Sequence, residues 1–449
     1  MVARSLKLTR TTCLYIFAYV LLNMLCFFQY RSLGTVSLLV TVILLGLGFL
    51  FPYSQTGVYL YVCLPFFNVM NAQIGGTSLY YVLIGIVILR CLLQGDHIQI
   101  APKLLLLCVL VFATLYNFSA TKEYIQWVIR LIPLVVLFGT NMIKMQLKGI
   151  IDKYTLSMLF SSLWGWLMLR AGTSIYTVGY VYNTRSITIR DAGLVGDAVV
   201  YGIQLIYLIA LVLIMAFREQ KCRTIRISAI VLMVCFGILT YSKTFLICVF
   251  LEAIFAFFYW SSKQKNDRKA FWWRAGVFLL VLFSAIALFD YFMTADTAWA
   301  VTFRKRILTA DFSTGRLDVW AYYVNWLSSS FMYLFRGVGF SNYFVLRTVQ
   351  SSLSGGIYAF SRAHNLFLET VVLFGLLETL ILLGWLLAWA VRTYRKQRDA
   401  LLFLPLLMLL ATGMTTHGHF EYHFYLNVLL VLSVAEGGNL MLRQDGGPI

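Results

Sequence analysis

The chain has 449 residues, is 61% apolar and only 12% charged, and carries a formal net charge of +18. Soluble domains are about 45–50% apolar, so a mean hydropathy of +0.81 excludes a soluble globular protein and points to an all-α polytopic membrane protein. The basicity invites a nucleic-acid partner, and the placement of the charges excludes one, as the order of the elements shows.

Apolar runs approaching the ~20 residues that cross a bilayer recur along the chain, predicting about 12–14 transmembrane helices in one domain over residues 1–449. The first four are predicted at 12–29, 34–51, 57–70 and 77–94, with Pro52 and Pro65 interrupting the second and third. Arg4, Lys7 and Arg10 precede the first run and no small-residue cleavage site follows it, so it reads as a retained span. Spans at 103–117, 124–141 and 154–171 follow, and Arg130 inside the second of these needs an acidic partner or a water-lined cavity. The next four are 195–217, 226–241, 244–261 and 274–292.

With both termini inside, most Lys and Arg fall on the cytoplasmic side, including the clusters from Arg218 to Arg226, Lys263 to Arg274 and Arg392 to Arg398. That is the positive-inside pattern, so the charge reports orientation. The cysteines (13, 26, 63, 91, 108, 222, 235 and 248) lie in spans or inside, which argues against a disulfide framework, and no CxxC or Cys/His cluster marks a zinc site.

Residues 293–362 form one large extracytoplasmic loop. Loops of that length are functional or disordered, and Trp299, Trp320, Trp326, Tyr333 and Phe340 argue for order. Leu317, Trp320, Val324, Leu327, Phe331 and Leu334 step by three and four, predicting one amphipathic helix at the membrane interface. Ser313 or Thr314 would cap it, and Asp318 suits its first turn. Arg316 opposes the macrodipole there, at ~0.3–1 kcal/mol, which makes sense if an anion is held between cation and helix end; the alternative is a solvated or headgroup-bound arginine. Further outer cations are Arg185, Arg190, Lys243, Arg304, Lys305, Arg306, Arg336, Arg347 and Arg362. Several converging would hold an anionic group, for which the guanidinium fork is suited.

The next span, 363–388, opens on His364 and Asn365. An imidazole at the boundary, with an ordinary pKa near ~6.5, can accept a proton. Asn365 either orients a substrate hydroxyl or caps the helix, and Gly375 three turns on permits close packing. Spans 400–414 and 424–441 complete the chain. Between them His417, His419, Glu421 and His423 offer i,i+4 ligand spacing, but they occupy a short polar turn, and no metal is expected. Gly237 to Thr244 nearly spells a phosphate-binding loop, yet Ser242 replaces the second glycine inside an apolar span, which excludes a nucleotide. Glu252, Asp290, Glu369 and Glu378 lie in or near spans, where carboxylates default to function. Glu369 stands about 140° round the helix from His364 and is not expected to pair with it directly.

His364-Asn365, nine residues and then Gly375 at a late span is similar to the signature of the O-antigen polymerase and O-antigen ligase superfamily. Ser313-Thr314-Gly315-Arg316 with Trp320 resembles that family's "SGR…W" element, and Gly337-Val338-Gly339 its "GxG". Tyr241-Ser242-Lys243-Thr244 resembles its Ser-Arg turn between two spans, and Arg190-Asp191-Ala192-Gly193-Leu194 its "R..G". The elements keep the family's order over about residues 185–380, and the first 180 residues carry only generic span character. Glu378, where the ligase version has Gly, Thr or Tyr, and Gly196-Asp197 in place of a Pro-Asn pair depart from the ligase branch and favour polymerase.

The resemblance implies a metal- and cofactor-independent glycosyltransferase of the bacterial cytoplasmic (inner) membrane, its site facing the periplasm or cell exterior. The donor would be a glycan on undecaprenyl pyrophosphate, and the acceptor a hydroxyl of another lipid-linked repeat unit, with inversion at the anomeric carbon. His364 would be the general base, and Arg190 and Arg316, with Lys243 or Arg362, would stabilise the leaving pyrophosphate. Arg185, Asn365 and Trp320 would bind substrate. The expected partners are the two lipid-linked glycans, the bilayer and a chain-length regulator. A ligase shares this chemistry and differs in acceptor. A flippase for the same lipid is the rival from another class, against which stand the lack of an internal repeat and the lopsided loop.

Overall fold

The computed structural model describes residues 9–70, 78–94, 125, 127, 131, 134, 136–140, 142–172, 178–179, 188–263, 268–307, 315–350, 352, 355–416 and 422–437. Among these the chain is a helical bundle with two small antiparallel hairpins, Val178–Gly179 with Thr188–Ile189 and Arg347–Gln350 with Ile357–Phe360. The expected span 103–117, Arg130, Arg185, Ser313, Thr314 and the His417 to Glu421 turn lie outside the described residues.

Four helices are long and apolar enough to cross a membrane: Arg10–Tyr30, Ala198–Arg218, Lys243–Ser262 and Leu376–Gln397. Gly34–Leu50, Tyr80–Leu93, Ala400–Gly413 and Phe424–Ala435 are shorter apolar helical stretches. Ala198–Arg218 is apolar on every side, and a helix of that kind belongs inside. Its apolar stretch is 83% buried, against 22% for Lys243–Ser262 and Leu376–Gln397. It is the central rod, packed by Leu147–Arg170, Arg223–Ile238, Lys243–Lys263 and Leu404–Gly413. Asp197 caps it, Oδ1 accepting from the amides of Val199 (2.7 Å) and Val200 (3.0 Å). The outer helices present broad apolar surface, including Phe258, Leu280 and Leu387, as lipid-facing helices do. Prolines shape the third span: the helix runs Tyr53–Cys63 and gives way at Leu64–Phe66 to a 3-10 turn that contains Pro65.

At one end of the bundle the Arg218 to Arg226 cluster meets carboxylates. Arg218 pairs with Asp399 (2.8 Å), Lys148 with Glu219 (2.7 Å), and Arg226 with Glu219 and Asp152. The described part of the expected outer loop holds the helices Ala298–Ile307, Arg316–Ser328, Phe331–Arg336 and Gly339–Tyr343 and the second hairpin.

Two expectations fail there. The single amphipathic helix from Leu317 to Leu334 is two helices, Arg316–Ser328 and Phe331–Arg336. Ser328 and Ser329 turn their hydroxyls back onto the carbonyls of Asn325 and Trp326, and Ser330 is extended, so the serine run ends the helix. Its start is Gly315, left-handed at φ 77°, and a Cβ there would meet the Tyr358 ring at 2.5 Å. The helix is apolar both ways: Val319, Tyr323 and Leu327 are buried in the protein, and Leu317 and Val324 face outward.

Likewise the span 363–388 is not one helix. It breaks at Gly375 (φ 92°, ψ 168°) into Leu366–Phe374 and Leu376–Gln397. The cause is a backbone crossing. A Cβ on Gly375 would lie 2.0 Å from the Phe335 carbonyl oxygen, and one on Gly337 2.6 Å from that of Leu373. The Val338 amide donates to the Val372 carbonyl (2.7 Å) across the same contact. Gly337 and Gly375 thus mark two strands of backbone touching directly.

Candidate functional site

The site is built around His364. Ala363, fully buried, is held on both sides of its backbone: its N–H donates to the Tyr343 hydroxyl (2.9 Å) and its carbonyl accepts from the Trp320 indole N–H (2.9 Å). The Tyr343 hydroxyl in turn donates to Glu369 Oε1 (2.9 Å), a carboxylate at 0% exposure. Next comes Asn365, extended, whose Oδ1 accepts from the amides of Phe367 (3.0 Å) and Leu368 (3.1 Å). Asn365 is therefore the helix cap. Between these two anchors His364 takes φ 50°, a left-handed conformation that costs a non-glycine residue about 1–3 kcal/mol and persists only where its surroundings over-determine it.

Burial pushes the His364 imidazole down to about 4, the guanidiniums of Arg316 and Arg362 push in the same direction, and the Asp197 carboxylate opposes them. The ring is a neutral proton acceptor at physiological pH. Two cations and one carboxylate therefore meet it from three elements: the start of Arg316–Ser328, the segment before Leu366, and the cap of the central helix. Glu369 is linked through the Tyr343 hydroxyl to Ala363, the residue before His364.

A second cluster forms around Arg190. It is buried, and its Nε donates to the Thr240 carbonyl (2.8 Å), while the Asp191 amide donates to the Leu239 carbonyl (3.1 Å). That turn is wound tightly: Tyr241 has φ 47°, Ser242 N–H donates to Thr240 Oγ1 (3.2 Å), and the Phe245 amide donates to Ser242 Oγ (3.3 Å). Lys243, half-buried, opens the next helix directly after it. The "R..G" glycine has a packing reason: Gly193 stands at φ 53° and a Cβ there would lie 2.8 Å from the Tyr201 ring, while a Cβ on the facing Gly165 would lie 2.4 Å from Gly193 Cα. Residues 190–197 thus form a strap running from the Lys243 turn to Asp197 beside His364.

The remaining loop cations separate by role. Arg347 stacks on Trp326 (4.5 Å) and donates to the carbonyls of Asn342, Tyr343 and Val345. Arg304 donates to the carbonyls of Phe292 and Met293 at a helix end and pairs with Asp296. Both brace the loop. Arg316 and Arg362 are the ones felt by His364. Trp320, expected to bind substrate, donates its indole N–H to the Ala363 carbonyl.

Three contributors escaped the sequence. Asp197 carried a signal, an aspartate directly before a long apolar run, which is an N-cap pattern. Tyr343 carried none, being one aromatic among many. Asp191 is buried; its Oδ1 accepts from the Gly193 amide (2.8 Å) and its Oδ2 has no hydrogen-bond partner among the described residues. Burial raises its carboxyl to about 6, against the lowering effect of that amide.

No family model matches the chain, and no curated protein matches it significantly.

Proposed function

We propose that this chain is a membrane-embedded glycosyltransferase that joins undecaprenyl-pyrophosphate-linked oligosaccharide repeat units at the outer face of a bacterial cytoplasmic membrane. The observation that carries the reading is a neutral imidazole, held in a left-handed conformation, within the electrostatic reach of two guanidiniums.

In the reaction an acceptor sugar hydroxyl attacks the anomeric carbon of the donor glycan. Its proton passes to the His364 imidazole as the new C–O bond forms. The bond from the anomeric carbon to the diphosphate oxygen breaks, and that oxygen keeps the electron pair. Arg316 and Arg362 stabilise the charge that develops there, the term that is usually largest in such transfers. Arg190 and Lys243, linked to His364 by the 190–197 strap, grip the second lipid-linked unit. The polymer grows on the acceptor's carrier, and the donor's carrier leaves as its diphosphate.

An imidazole held near 4 is a weak base, and the substrate corrects this. A diphosphate between Arg316 and Arg362 neutralises the cations that depress the ring and adds negative charge beside it, raising its pKa toward the working pH. The base becomes strong when the donor is in place, which disfavours proton uptake in the empty site.

The test is purified protein given one lipid-linked repeat unit. A ladder of oligomers is expected, and none from His364→Ala. Transfer only to a foreign acceptor identifies a ligase, and movement of the lipid across a vesicle without bond formation identifies a flippase; either overturns the polymerase reading.

A further inference from the structure

The helix Lys243–Lys263 holds a carboxyl group in its middle that the His364 cluster does not use. Glu252 is 2% exposed, and among the described residues neither side-chain oxygen has a hydrogen-bond partner and no cation pairs with it. Its helix packs on Ala198–Arg218, Leu404–Gly413, Arg223–Ile238 and Arg268–Thr294. Gly202 lies against Phe245, and Phe217 against Tyr259, so Glu252 stands level with residues 208–212 of the central helix, all apolar and buried. That helix offers Tyr207, with Tyr201 and Arg218 engaged by Ser162 and Asp399. Leu404–Gly413 has no titratable residue. Arg223–Ile238 has Cys235, which is exposed, and two arginines at the end where Arg226 binds Glu219. Arg268–Thr294 has Asp290 and Tyr291, both exposed, and basic residues in its first two turns. An ionised carboxylate in such surroundings costs more than burial can offset, and the group takes up a proton instead. A metal ion fits poorly, because hard cations take about six oxygens and one carboxylate offers two.

Toward the Lys243 end the same face is polar. Thr244, Cys248 and Glu252 recur at every fourth position, stack on one side of the helix, and are all buried. Thr244 Oγ1 donates to Thr415 Oγ1 (2.8 Å), which donates to the Thr412 carbonyl (3.1 Å), and the Tyr207 hydroxyl bonds Thr412 Oγ1 (2.7 Å). Tyr207 is within electrostatic reach of the Cys248 thiol, and that thiol within reach of Glu252. The column spans eight residues of helix, ~12 Å. Toward the other end aromatic rings close the way: Phe255 stacks on Tyr259 (6.5 Å), and Tyr259 packs edge-on against Phe217 (5.4 Å). We propose that Glu252 is a proton-binding site in the membrane-spanning part of the bundle, filled from the Lys243 end along the Thr244, Thr415, Tyr207 and Cys248 column. The bound proton is the acid hydrogen of the side chain, so the packing of this helix on the central one is conditional on it. Nothing in this depends on the chemistry at His364.

The experiment labels the detergent-solubilised full chain with dicyclohexylcarbodiimide, read by mass spectrometry on the Glu252 peptide. The reagent adds to the neutral acid: the acid oxygen bonds the central carbon, one C=N bond becomes single, and the acid's proton ends on that nitrogen. Between pH 6 and pH 8 the neutral fraction of an ordinary carboxyl falls about a hundredfold, and labelling of the surface residue Asp296 should fall with it. Labelling of Glu252 should fall less than twofold, and Glu252→Gln, which keeps the shape, should abolish it. In the infrared, the neutral-acid C=O band that Glu252→Gln removes should shift as its hydrogen exchanges for deuterium. That exchange should slow at least tenfold in Tyr207→Phe and in Thr415→Val, and keep its rate in Tyr259→Phe. A hundredfold loss of labelling at Glu252, or no neutral-acid band assignable to it, overturns the site. Slowing by Tyr259→Phe, or none by the two column variants, overturns the entry from the Lys243 end.

Discussion

Protonating His364 is the perturbation that tests the site most directly. A pKa near 4 in place of the ordinary 6.5 means that charging this ring costs about 3 kcal/mol more than in water. At pH 5 an ordinary imidazole is ~3% neutral, and one held near 4 is ~90% neutral. Acylation of neutral imidazole by diethyl pyrocarbonate, followed on the His364 peptide by mass spectrometry, should therefore slow by less than ~1.2-fold between pH 7 and pH 5, where an ordinary histidine slows ~25-fold. Arg316→Gln should move the midpoint upward, and inorganic pyrophosphate should move it further. Global stability is the wrong readout. Because the folded pKa of His364 is depressed, the unfolded chain binds its proton first and stability falls as pH drops from 6.5 to about 4. Asp191, raised from 3.8 to about 6, takes its proton first in the folded state and adds stability as pH drops through nearly the same window. The two offset each other, so the ring itself must be watched. A midpoint near 6.5 in the unmutated, substrate-free protein would refute the burial and the cation cluster together.

Three further outcomes are expected. Arg316→Ala and Arg190→Ala should each cut polymer formation at least a hundredfold, and lysine should rescue Arg316 poorly because the two-pronged geometry is lost; full rescue in a ladder assay would reduce its role to bare charge. Tyr343→Phe removes the partner of the buried Ala363 N–H and one partner of Glu369, each loss worth about 1–3 kcal/mol. Because Tyr343 is bonded to the Ala363 backbone and to Glu369 and is read as a positioning residue, kcat should fall more than tenfold with KM nearly constant, and Glu369→Gln, which keeps an acceptor, should stay within threefold; equal losses in KM and kcat would contradict a positioning role. Gly375→Ala must place a Cβ 2.0 Å from the Phe335 carbonyl oxygen, at a backbone conformation reserved for glycine; it should lower the thermal midpoint sharply, whereas Gly384→Ala, with nothing near its Cβ, should not.

How much of this was legible depended on the range of the interactions. Helix positions follow from local apolar runs, and most were readable, including the weakness at Pro65. The Arg190 strap, the Lys243 turn, Arg316 and His364 were readable as chemistry, because cations and an imidazole are rare beside apolar runs. What joins them was not. The break at Gly375 depends on Gly337, thirty-eight positions earlier in the chain, and single-helix periodicity passes through it undisturbed. The break after Ser328 was present as a serine run, yet the apolar stepping masked it. Asn365 admitted two roles until its Oδ1 was seen on two amides. Tyr343 is named as a positioning residue only by its neighbours, a carboxylate on one side and a peptide N–H on the other.

The nine-residue helix Leu366–Phe374 is clamped at both tips, by an asparagine at one and a glycine crossing at the other, and its flank lines an apolar cavity of about 110 Å³. A rod so short and so tightly held has no slack with which to absorb a push. Whatever displaces Leu366 or Phe367 presses on the piece that carries His364, so bulk added at either side chain would shift the imidazole. A change there would be read at His364 even where the rest of the fold is undisturbed.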